Sequence, residues 1–196
     1  MIPLVLRSPF DAGLYLAVTV TWILSIFIER VIIGSAGPRT AQIRSDRGSA
    51  LLIFFSIFVS IFIANEFAEY GVALLPAAFF YVGLVMMLAG ISIRIWAVST
   101  LRSFFSYTVQ IKQDHHVVEN GPYRLVRHPA YTGSLLTILG VGFALQSWGA
   151  ALVIAIIFGI SFGYRIKVEE KALVASLGEA YVLYSRRVKR LIPYLF

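Results

Sequence analysis

The chain has 196 residues, of which 59% are hydrophobic and only 14% are charged, and its mean hydropathy is +0.81. A soluble domain carries about 25% charged residues, so this composition excludes an ordinary water-soluble domain. The 15 Phe, 10 Tyr and 3 Trp exclude an intrinsically disordered chain. Because there is no cysteine, disulfides, thiolate metal sites and cysteine nucleophiles are excluded as well.

Five apolar segments are long enough, or nearly so, to cross a bilayer, which takes roughly 20 residues. In chain order they occupy 14–33, 50–64, 77–98, 130–145 and 150–164. The last two are short and flank the turn Gln146-Ser147-Trp148-Gly149, so they predict a helical hairpin. We therefore predict an all-α integral membrane protein with about five transmembrane helices, forming a single domain over 1–196.

The basic residues predict the orientation of these helices. Of the 17 Lys and Arg residues, 16 lie on one side, in the connections 33–49 and 99–129, in the segment after 164 and at two span ends. Only Arg7 falls on the opposite side. Since such residues accumulate on the cytoplasmic side, the N-terminus is predicted outside and the C-terminus inside. The net charge of +7 is then explained by basic residues on the cytoplasmic side of the membrane, and no nucleic-acid partner is predicted. The first span is predicted to be a retained helix, because no small-x-small cleavage site follows it.

Polar chemistry is concentrated in the second half of the chain. Residues 1–98 predict a three-helix scaffold, whereas the long connection 99–129 opens a half rich in polar motifs and contains all three histidines. Its aromatic residues indicate that this connection folds onto the membrane face. There is no HExxH motif, and adjacent histidines seldom chelate one ion, so no metal site is predicted. For His116, a polar loop residue is the simpler interpretation.

Two polar motifs flank the last two predicted spans. Pro129 suits the first position of a helix and holds His128 extended at the mouth of the fourth span. Arg165 and Glu169 are four residues apart and share one helix face. They form either an interfacial ion pair of small energy or, as ionisable groups at the end of a span, part of a functional site.

Further patterns concern packing. Gly133, Gly140 and Gly142 lie within the fourth span and favour close helix contact; no strand precedes them, so they are not a dinucleotide-binding motif. Apolar residues then recur at helical spacing, predicting an amphipathic C-terminal helix: Leu173, Leu177, Tyr181, Tyr184 and Val188. The basic cluster 186–190 that ends it is typical of contact with anionic lipid.

The polar half of the chain resembles the isoprenylcysteine carboxyl methyltransferase family of integral membrane enzymes, and the related phospholipid N-methyltransferases. Four pieces between about 102 and 193 carry the resemblance, and they occur in the right order. They are Phe105-Ser106 with Val109-Gln110, His115-His116-Val117-Val118 with Gly121-Pro122-Tyr123, Arg127-His128-Pro129-Ala130-Tyr131, and Arg165-Ile166-Lys167-Val168-Glu169-Glu170 followed by Gly178-Glu179-Ala180-Tyr181, Tyr184 and Arg187-Val188.

The resemblance implies a site for S-adenosyl-L-methionine and a lipid-like or prenylated substrate. The residues that match the family's cofactor-binding pattern are Gln110, His115, His116, Val117, Val118, Tyr123, His128, Pro129, Ala130, Tyr131 and Glu169. Arg165 matches the substrate-side arginine, which implies that it orients the substrate carboxylate, although it could instead hold the carboxylate of the cofactor. The connection between Gln110 and His115 looks shorter than in eukaryotic members.

Three functions remain open at this point. Carboxyl O-methylation is favoured, because a carboxylate acceptor needs no general base and a guanidinium binds it through two hydrogen bonds. N-methylation of a phospholipid amine is second, since Arg165 repels a protonated amine. A non-catalytic membrane scaffold or transporter subunit is third. A transporter is expected to place polar residues in mid-span, and Arg94 is the only charge that comes close.

Overall fold

The computed structural model describes residues 8–35, 41–44, 48–71, 73–107, 110–112 and 116–193, with the two strands at 41–44 and 110–112 described by their backbone. Six helices and one two-stranded sheet make up the described chain. In order, they are α1 (Pro9–Ser35), β1 (Ala41–Arg44), α2 (Ser49–Glu69), α3 (Ala78–Leu101), β2 (Gln110–Lys112), α4 (Pro129–Ala144), α5 (Trp148–Leu177) and α6 (Glu179–Arg187). Short 3-10 turns lie at Arg102–Phe104 and Gly121–Arg124.

Within these residues, four helices are long and apolar enough to cross a membrane, namely α1, α2, α3 and α5. The fourth predicted span is α4, which is apolar but has only 16 residues. It is short because Pro129 occupies its first turn and because Gln146, just beyond its end, adopts a φ of +57°. Ser147 then caps α5 by accepting a hydrogen bond from the Ala150 amide. The prediction of a helical integral membrane protein is confirmed.

The prediction of where the last span ends is wrong. We expected 150–164, but α5 has 30 residues and extends from Trp148 to Leu177, so Leu173 and Leu177 belong to it rather than to a separate amphipathic helix. The charged stretch after Tyr164 does not end the helix, because Arg165 is only 3% exposed and is accommodated inside the protein. The break comes at Gly178, whose φ of +58° suits glycine, and α6 follows it.

The all-α prediction also missed a small sheet. Strands β1 and β2 pair antiparallel, with Ile43 opposite Ile111 and Arg44 opposite Gln110. Strands of three or four residues contain too few positions for an alternating pattern to be recognised.

Glycines bring α3 and α4 into close contact, as their positions in the sequence predicted. A Cβ atom on Gly140 would lie 2.7 Å from the carbonyl oxygen of Gly83, and one on Gly133 would lie 2.6 Å from that of Gly90. Around this central pair, α1 packs against α3 and α2 packs against α5. This packing leaves a cavity between α1, α2, α4 and α5.

Candidate active site

A cleft lined by both apolar and polar side chains, the polar cleft, lies where α4 and α5 meet the folded connection after α3. Its walls come from the end of α3 and the following turn, from residues 116–118, from the first turn of α4, from the last turns of α5 and from α6. It encloses about 820 Å³ including its open mouth.

Most of the predicted cofactor-binding residues that the structure describes line this polar cleft. They are His116, Val117, Val118, Tyr123, His128, Ala130, Tyr131 and Glu169. Pro129 is fully buried in the first turn of α4 and is not among the described residues that line the cleft. Gln110 lies in β2, where the structure describes the backbone, and His115 lies outside the described residues.

Tyr131 connects Arg165 with Glu169 through its phenol. The Nε of Arg165 donates to the phenolic oxygen over 3.0 Å, and the phenol donates to Oε2 of Glu169 over 2.6 Å. The ring is held from both sides, since it stacks on His128 and on Phe162 with ring centroids 5.6 and 5.2 Å away. The sequence placed Arg165 and Glu169 on one helix face, but it did not predict that Tyr131 would join them.

Arg165 faces a second cavity rather than the polar cleft. This apolar cavity, of about 1020 Å³ including its opening, lies between α1, α2, α4 and α5. Its sides are hydrophobic residues such as Trp22, Ile53 and Phe158, and its polar end holds Arg94 and Arg165. Arg165 also donates to the Ser49 hydroxyl over 2.9 Å and to the Tyr107 carbonyl over 3.1 Å.

The polar cleft and the apolar cavity meet at three shared residues. Phe105, Ser106 and Tyr131 line both spaces. Of these two spaces, Glu169 lines only the polar cleft and Arg165 lines only the apolar cavity. A ligand in the polar cleft and one in the apolar cavity would therefore approach each other beside Tyr131.

Glu170 is a structural residue that the sequence reasoning missed. Its Oε1 accepts hydrogen bonds from Nε and Nη2 of Arg127, over 3.0 and 2.7 Å, and its Oε2 accepts from Nε and Nη2 of Arg190, over 3.1 and 3.0 Å. The Nε2 of His128 lies 3.3 Å from Oε1. Because consecutive helix residues point about 100° apart, Glu169 faces the polar cleft while Glu170 faces the segment after α6.

That C-terminal segment is fixed to the residues before α4. The amides of Arg127 and His128 donate to the carbonyls of Lys189 and Arg190 over 2.7 and 3.0 Å. The basic cluster predicted to contact lipid is therefore partly used inside the protein. Arg190 binds Glu170, whereas Arg187 forms an exposed ion pair with Glu119.

Helix α6 closes one side of the polar cleft with two tyrosines. The Tyr184 phenol donates to the Tyr123 carbonyl over 2.6 Å. The Tyr181 hydroxyl is buried and has no hydrogen-bond partner among the described residues. Burial raises the pKa of Tyr181 well above its usual range, so it remains a neutral hydrogen-bond donor.

An unsatisfied buried hydroxyl on a cleft wall indicates a polar ligand. Together with the carboxylate of Glu169, the aromatic and apolar walls suit a ligand that has both an apolar or aromatic part and a positive charge. The described residues contain no group of three His, Asp or Glu side chains placed to hold a metal ion.

Residues 82–175 match the sequence model of the Isoprenylcysteine carboxyl methyltransferase (ICMT) family. Protein-S-isoprenylcysteine O-methyltransferase B of Arabidopsis thaliana is 31% identical over 115 residues, which are 58% of this chain and 58% of that protein. The cobalt-zinc-cadmium resistance protein CzcN of Cupriavidus metallidurans is 33% identical over 84 residues, 43% of this chain and 38% of that protein. These matches confirm the family resemblance predicted from the sequence.

The fold is similar to that of a solved intramembrane enzyme. The eukaryotic Ras methyltransferase ICMT superposes with a TM-score of 0.58 over 74% of this chain and 51% of that chain, at 24% sequence identity. This likeness confirms the fold. The chain spans little more than half the length of the isoprenylcysteine methyltransferase from Arabidopsis thaliana that it matches.

Proposed function

We propose, from the match to the isoprenylcysteine carboxyl methyltransferase family over 82–175, that this integral membrane protein is an S-adenosylmethionine-dependent methyltransferase. Its proposed substrate is the carboxylate of an isoprenylcysteine or of another lipid-linked molecule. The relatives named as protein-S-isoprenylcysteine O-methyltransferases support this substrate class.

The observation that carries the proposal is the meeting of two spaces of different polarity at Tyr131. The polar cleft opens at the end of the helices, where a water-soluble cofactor can enter. The apolar cavity lies between α1, α2, α4 and α5 and suits a prenyl or acyl chain. A methyl transfer needs its two reactants about 3 Å apart and in line, and the shared wall is where that approach can occur.

In the proposed site, the polar cleft binds the cofactor. His128, Ala130 and Tyr131 form one wall, and the residues after 115 form another. Glu169 offers a carboxylate to the ammonium group or ribose hydroxyls of the ligand, and the Tyr181 hydroxyl offers an unused donor. When bound, S-adenosylmethionine supplies a methyl group on a sulfonium, which is already a good leaving group.

Arg165 is proposed to orient the substrate carboxylate. It is buried at the polar end of the apolar cavity, where its positive charge is not screened by bulk water. Its link to Tyr131 fixes the guanidinium relative to the polar cleft. A carboxylate held there requires no general base, so the protein contributes alignment and the exclusion of water.

The charge asymmetry of the sequence supports an inner, cytoplasmic position for the polar cleft. Arg124 and Arg127, which precede α4, and Lys167 within α5 belong to the basic side of the predicted topology. The cofactor then arrives from the cytoplasm, and the lipid-linked acceptor diffuses sideways within the membrane.

The test is methyl transfer by the purified, detergent-solubilised protein from labelled S-adenosylmethionine. Two acceptors are compared, an S-prenylated N-acetylcysteine and a vesicle of phosphatidylethanolamine. Label in the prenylated cysteine as a base-labile methyl ester is the expected result. Label in the phospholipid amine instead would establish N-methylation, and no thermal shift with S-adenosylhomocysteine would contradict a methyltransferase altogether.

A further inference from the structure

Arg94 of α3 joins three other parts of the chain beside the wall that the two spaces share, and the site described so far gives it no role. Its Nε and Nη2 donate to the two carboxylate oxygens of the completely buried Glu29 of α1, over 2.6 and 2.9 Å. Its Nη1 donates to the Ser134 hydroxyl of α4 over 2.8 Å. Its guanidinium carbon lies over the ring of Phe105, 5.8 Å from the ring centroid. One side chain therefore connects α1, α4 and the connection after α3.

The Phe105 ring is held from a second direction by the same group of residues. It packs edge-on against the ring of Tyr107, with the centroids 5.5 Å apart and the planes at 89°. The Tyr107 phenol donates over 3.0 Å to Oε2 of Glu29, the oxygen that also accepts from Nη2 of Arg94. Glu29, Arg94, Phe105 and Tyr107 thus form a closed cycle of contacts, in which the position of each side chain is fixed by two others.

Arg94 is also fixed relative to the first turn of α4. Gly133 of α4 allows a close approach, since a Cβ atom there would lie 2.8 Å from the Arg94 amide nitrogen and 3.0 Å from the Arg94 Cβ atom. The next residue, Ser134, accepts from Arg94 and donates to the Ala130 carbonyl over 2.9 Å. Tyr131 lies three residues before Ser134 and is therefore its neighbour on the helix surface.

The shared wall has two parts, with Phe105 and Ser106 coming from the connection after α3 and Tyr131 coming from α4. Resting on the proposed function, we propose that Arg94 is a positioning residue for methyl transfer, which holds Phe105 at a fixed distance from the first turn of α4. It thereby sets the width of the passage between the cofactor and the acceptor. In this role Arg94 acts through Phe105 rather than by binding a reactant.

The physical reason is the precision that an in-line displacement requires. The reacting atoms must lie about 3 Å apart, and a misplacement of about 1 Å can cost about 100-fold in rate. A guanidinium suits this task because its donors point in fixed directions while its flat face covers an aromatic ring. A lysine ammonium in its place can neutralise Glu29, but it is a point charge on a flexible chain and lacks the fork that binds Glu29 and Ser134 together.

Arg94→Lys is accordingly the test variant, because it keeps a cation beside the buried carboxylate. The kcat for an S-prenylated N-acetylcysteine is measured with the detergent-solubilised full chain, and equilibrium binding of that acceptor and of S-adenosylhomocysteine is measured separately. We expect kcat to fall by about tenfold, while both affinities stay at their wild-type values. A purely structural role would instead lower the unfolding midpoint and both affinities together.

Phe105→Leu tests whether Arg94 acts through the ring. Leucine keeps an apolar wall but removes the aromatic face that the guanidinium covers. Since residues that act through one contact have non-additive effects, we expect Arg94→Lys to cause little further loss of kcat in the Phe105→Leu background. An equal loss of kcat in the two backgrounds would overturn the inference.

A matched control exists between the same two helices, α1 and α3. The Tyr81 phenol of α3 donates to Oδ1 of Asp11 of α1 over 3.2 Å, and Tyr81 is 50% exposed. The helical rise of about 1.5 Å per residue places it about 20 Å along α3 from Arg94. Tyr81→Phe is expected to leave kcat and both affinities unchanged.

A wild-type kcat in Arg94→Lys would overturn the inference, and so would a kcat that falls only in step with both affinities. If Arg94→Lys does not fold, the charge-balanced variant Glu29→Gln/Arg94→Met is measured against the same expectations. Failure of the proposed carboxylate substrate looks different, because the wild-type protein then labels phosphatidylethanolamine. The comparison of kcat is in that case made with this acceptor, since Arg94 positions the wall. If the wild-type protein methylates neither acceptor, the inference falls with the proposed function.

Discussion

Tyr131 donates its phenolic hydrogen to Glu169 across 2.6 Å while its oxygen accepts from Arg165. Glu169 lines the polar cleft and Arg165 lines the apolar cavity, so one hydroxyl joins a group on the cofactor side to a group on the substrate side. The ring is fixed by stacking on His128 and Phe162. This geometry makes Tyr131 the point at which alignment of the two reactants is controlled.

Replacement of Tyr131 by Phe keeps the stacked ring and removes both hydrogen bonds. We expect kcat to fall by about tenfold or more, because Arg165 is no longer fixed relative to the polar cleft. Methyl-transfer kinetics with the prenylated cysteine provide the measurement. Tyr70→Phe, at a position that is 76% exposed, is the control and should behave as wild type. A Tyr131→Phe protein with unchanged kcat would show that the phenol has no positioning role.

Glu169 and Arg165 are expected to fail in different ways. Glu169→Ala should abolish binding of S-adenosylhomocysteine in calorimetry, because the cleft loses its carboxylate. Arg165→Ala should spare that binding and remove turnover. The exposed Glu179 of α6 provides the matched control, and Glu179→Gln should bind normally. Normal binding by Glu169→Ala contradicts the assignment of the cofactor site, and loss of binding in Arg165→Ala would assign Arg165 to the cofactor.

Local sequence patterns were sufficient to locate the five apolar helices, and the family resemblance indicated many of the residues that line the polar cleft. Apolar runs predicted α1 to α5. In lipid, each backbone N–H and C=O group must find a hydrogen-bond partner within the protein, and a helix provides these partners within one segment. The resemblance brought together His116, Tyr123, His128 and Glu169, and the structure places these side chains around one cleft. The end of α5 was not predicted, since Arg165 looks like an interfacial charge until its buried partners are known.

Contacts between distant parts of the chain could not be predicted. Glu29 and Arg94 are 65 residues apart, and each occurs in the sequence near the end of a span, Glu29 beside Arg30 and Arg94 as an isolated charge. Glu170 binds Arg127 from 43 residues away, and nothing in its local sequence separates its role from that of Glu169. Such pairs depend on how α1, α3, α4 and α5 pack, which the period of a single helix does not specify.

Tyr181 tests whether the polar cleft accepts a hydrogen-bonding ligand. Its buried hydroxyl has no partner within the part of the chain that the structure describes, so Tyr181→Phe should not destabilise the protein. We expect it to weaken S-adenosylhomocysteine binding by the worth of one hydrogen bond, about 0.5–1.5 kcal/mol. The comparison is Tyr184→Phe, which removes the hydrogen bond to the Tyr123 carbonyl and should lower stability by about 1–3 kcal/mol. Unchanged affinity in Tyr181→Phe would place the ligand away from α6.

Glu170 is expected to be required for stability. Its side chain is only 14% exposed and neutralises Arg127, which is 8% exposed, as well as Arg190. Glu170→Gln leaves a nearly buried guanidinium without its counter-charge, which costs about 3–5 kcal/mol in comparable pairs. The midpoint of thermal unfolding in detergent should fall clearly.

The matched control for Glu170 is the exposed ion pair between Glu119 and Arg187, whose side chains are 43% and 64% exposed. Glu119→Gln should change stability by no more than about 1 kcal/mol, because water and salt screen such pairs. Equal losses in the two variants would show that burial does not distinguish these carboxylates.

Gly140 tests the close contact between α3 and α4 that positions the first turn of α4 at the polar cleft. In Gly140→Ala, the added methyl group would lie 2.7 Å from the Gly83 carbonyl oxygen and 2.8 Å from the Met87 amide nitrogen, both backbone atoms that cannot rotate away. Helices forced apart in this way typically lose about 1–3 kcal/mol. A methyl group added at Gly159 of α5 would meet no other side chain or helix among the described residues within 4 Å. Gly159→Ala should therefore keep or raise the unfolding midpoint, since alanine favours a helix by about 1 kcal/mol. A Gly140→Ala protein as stable as Gly159→Ala would mean that α3 and α4 are not in contact at this position in the membrane.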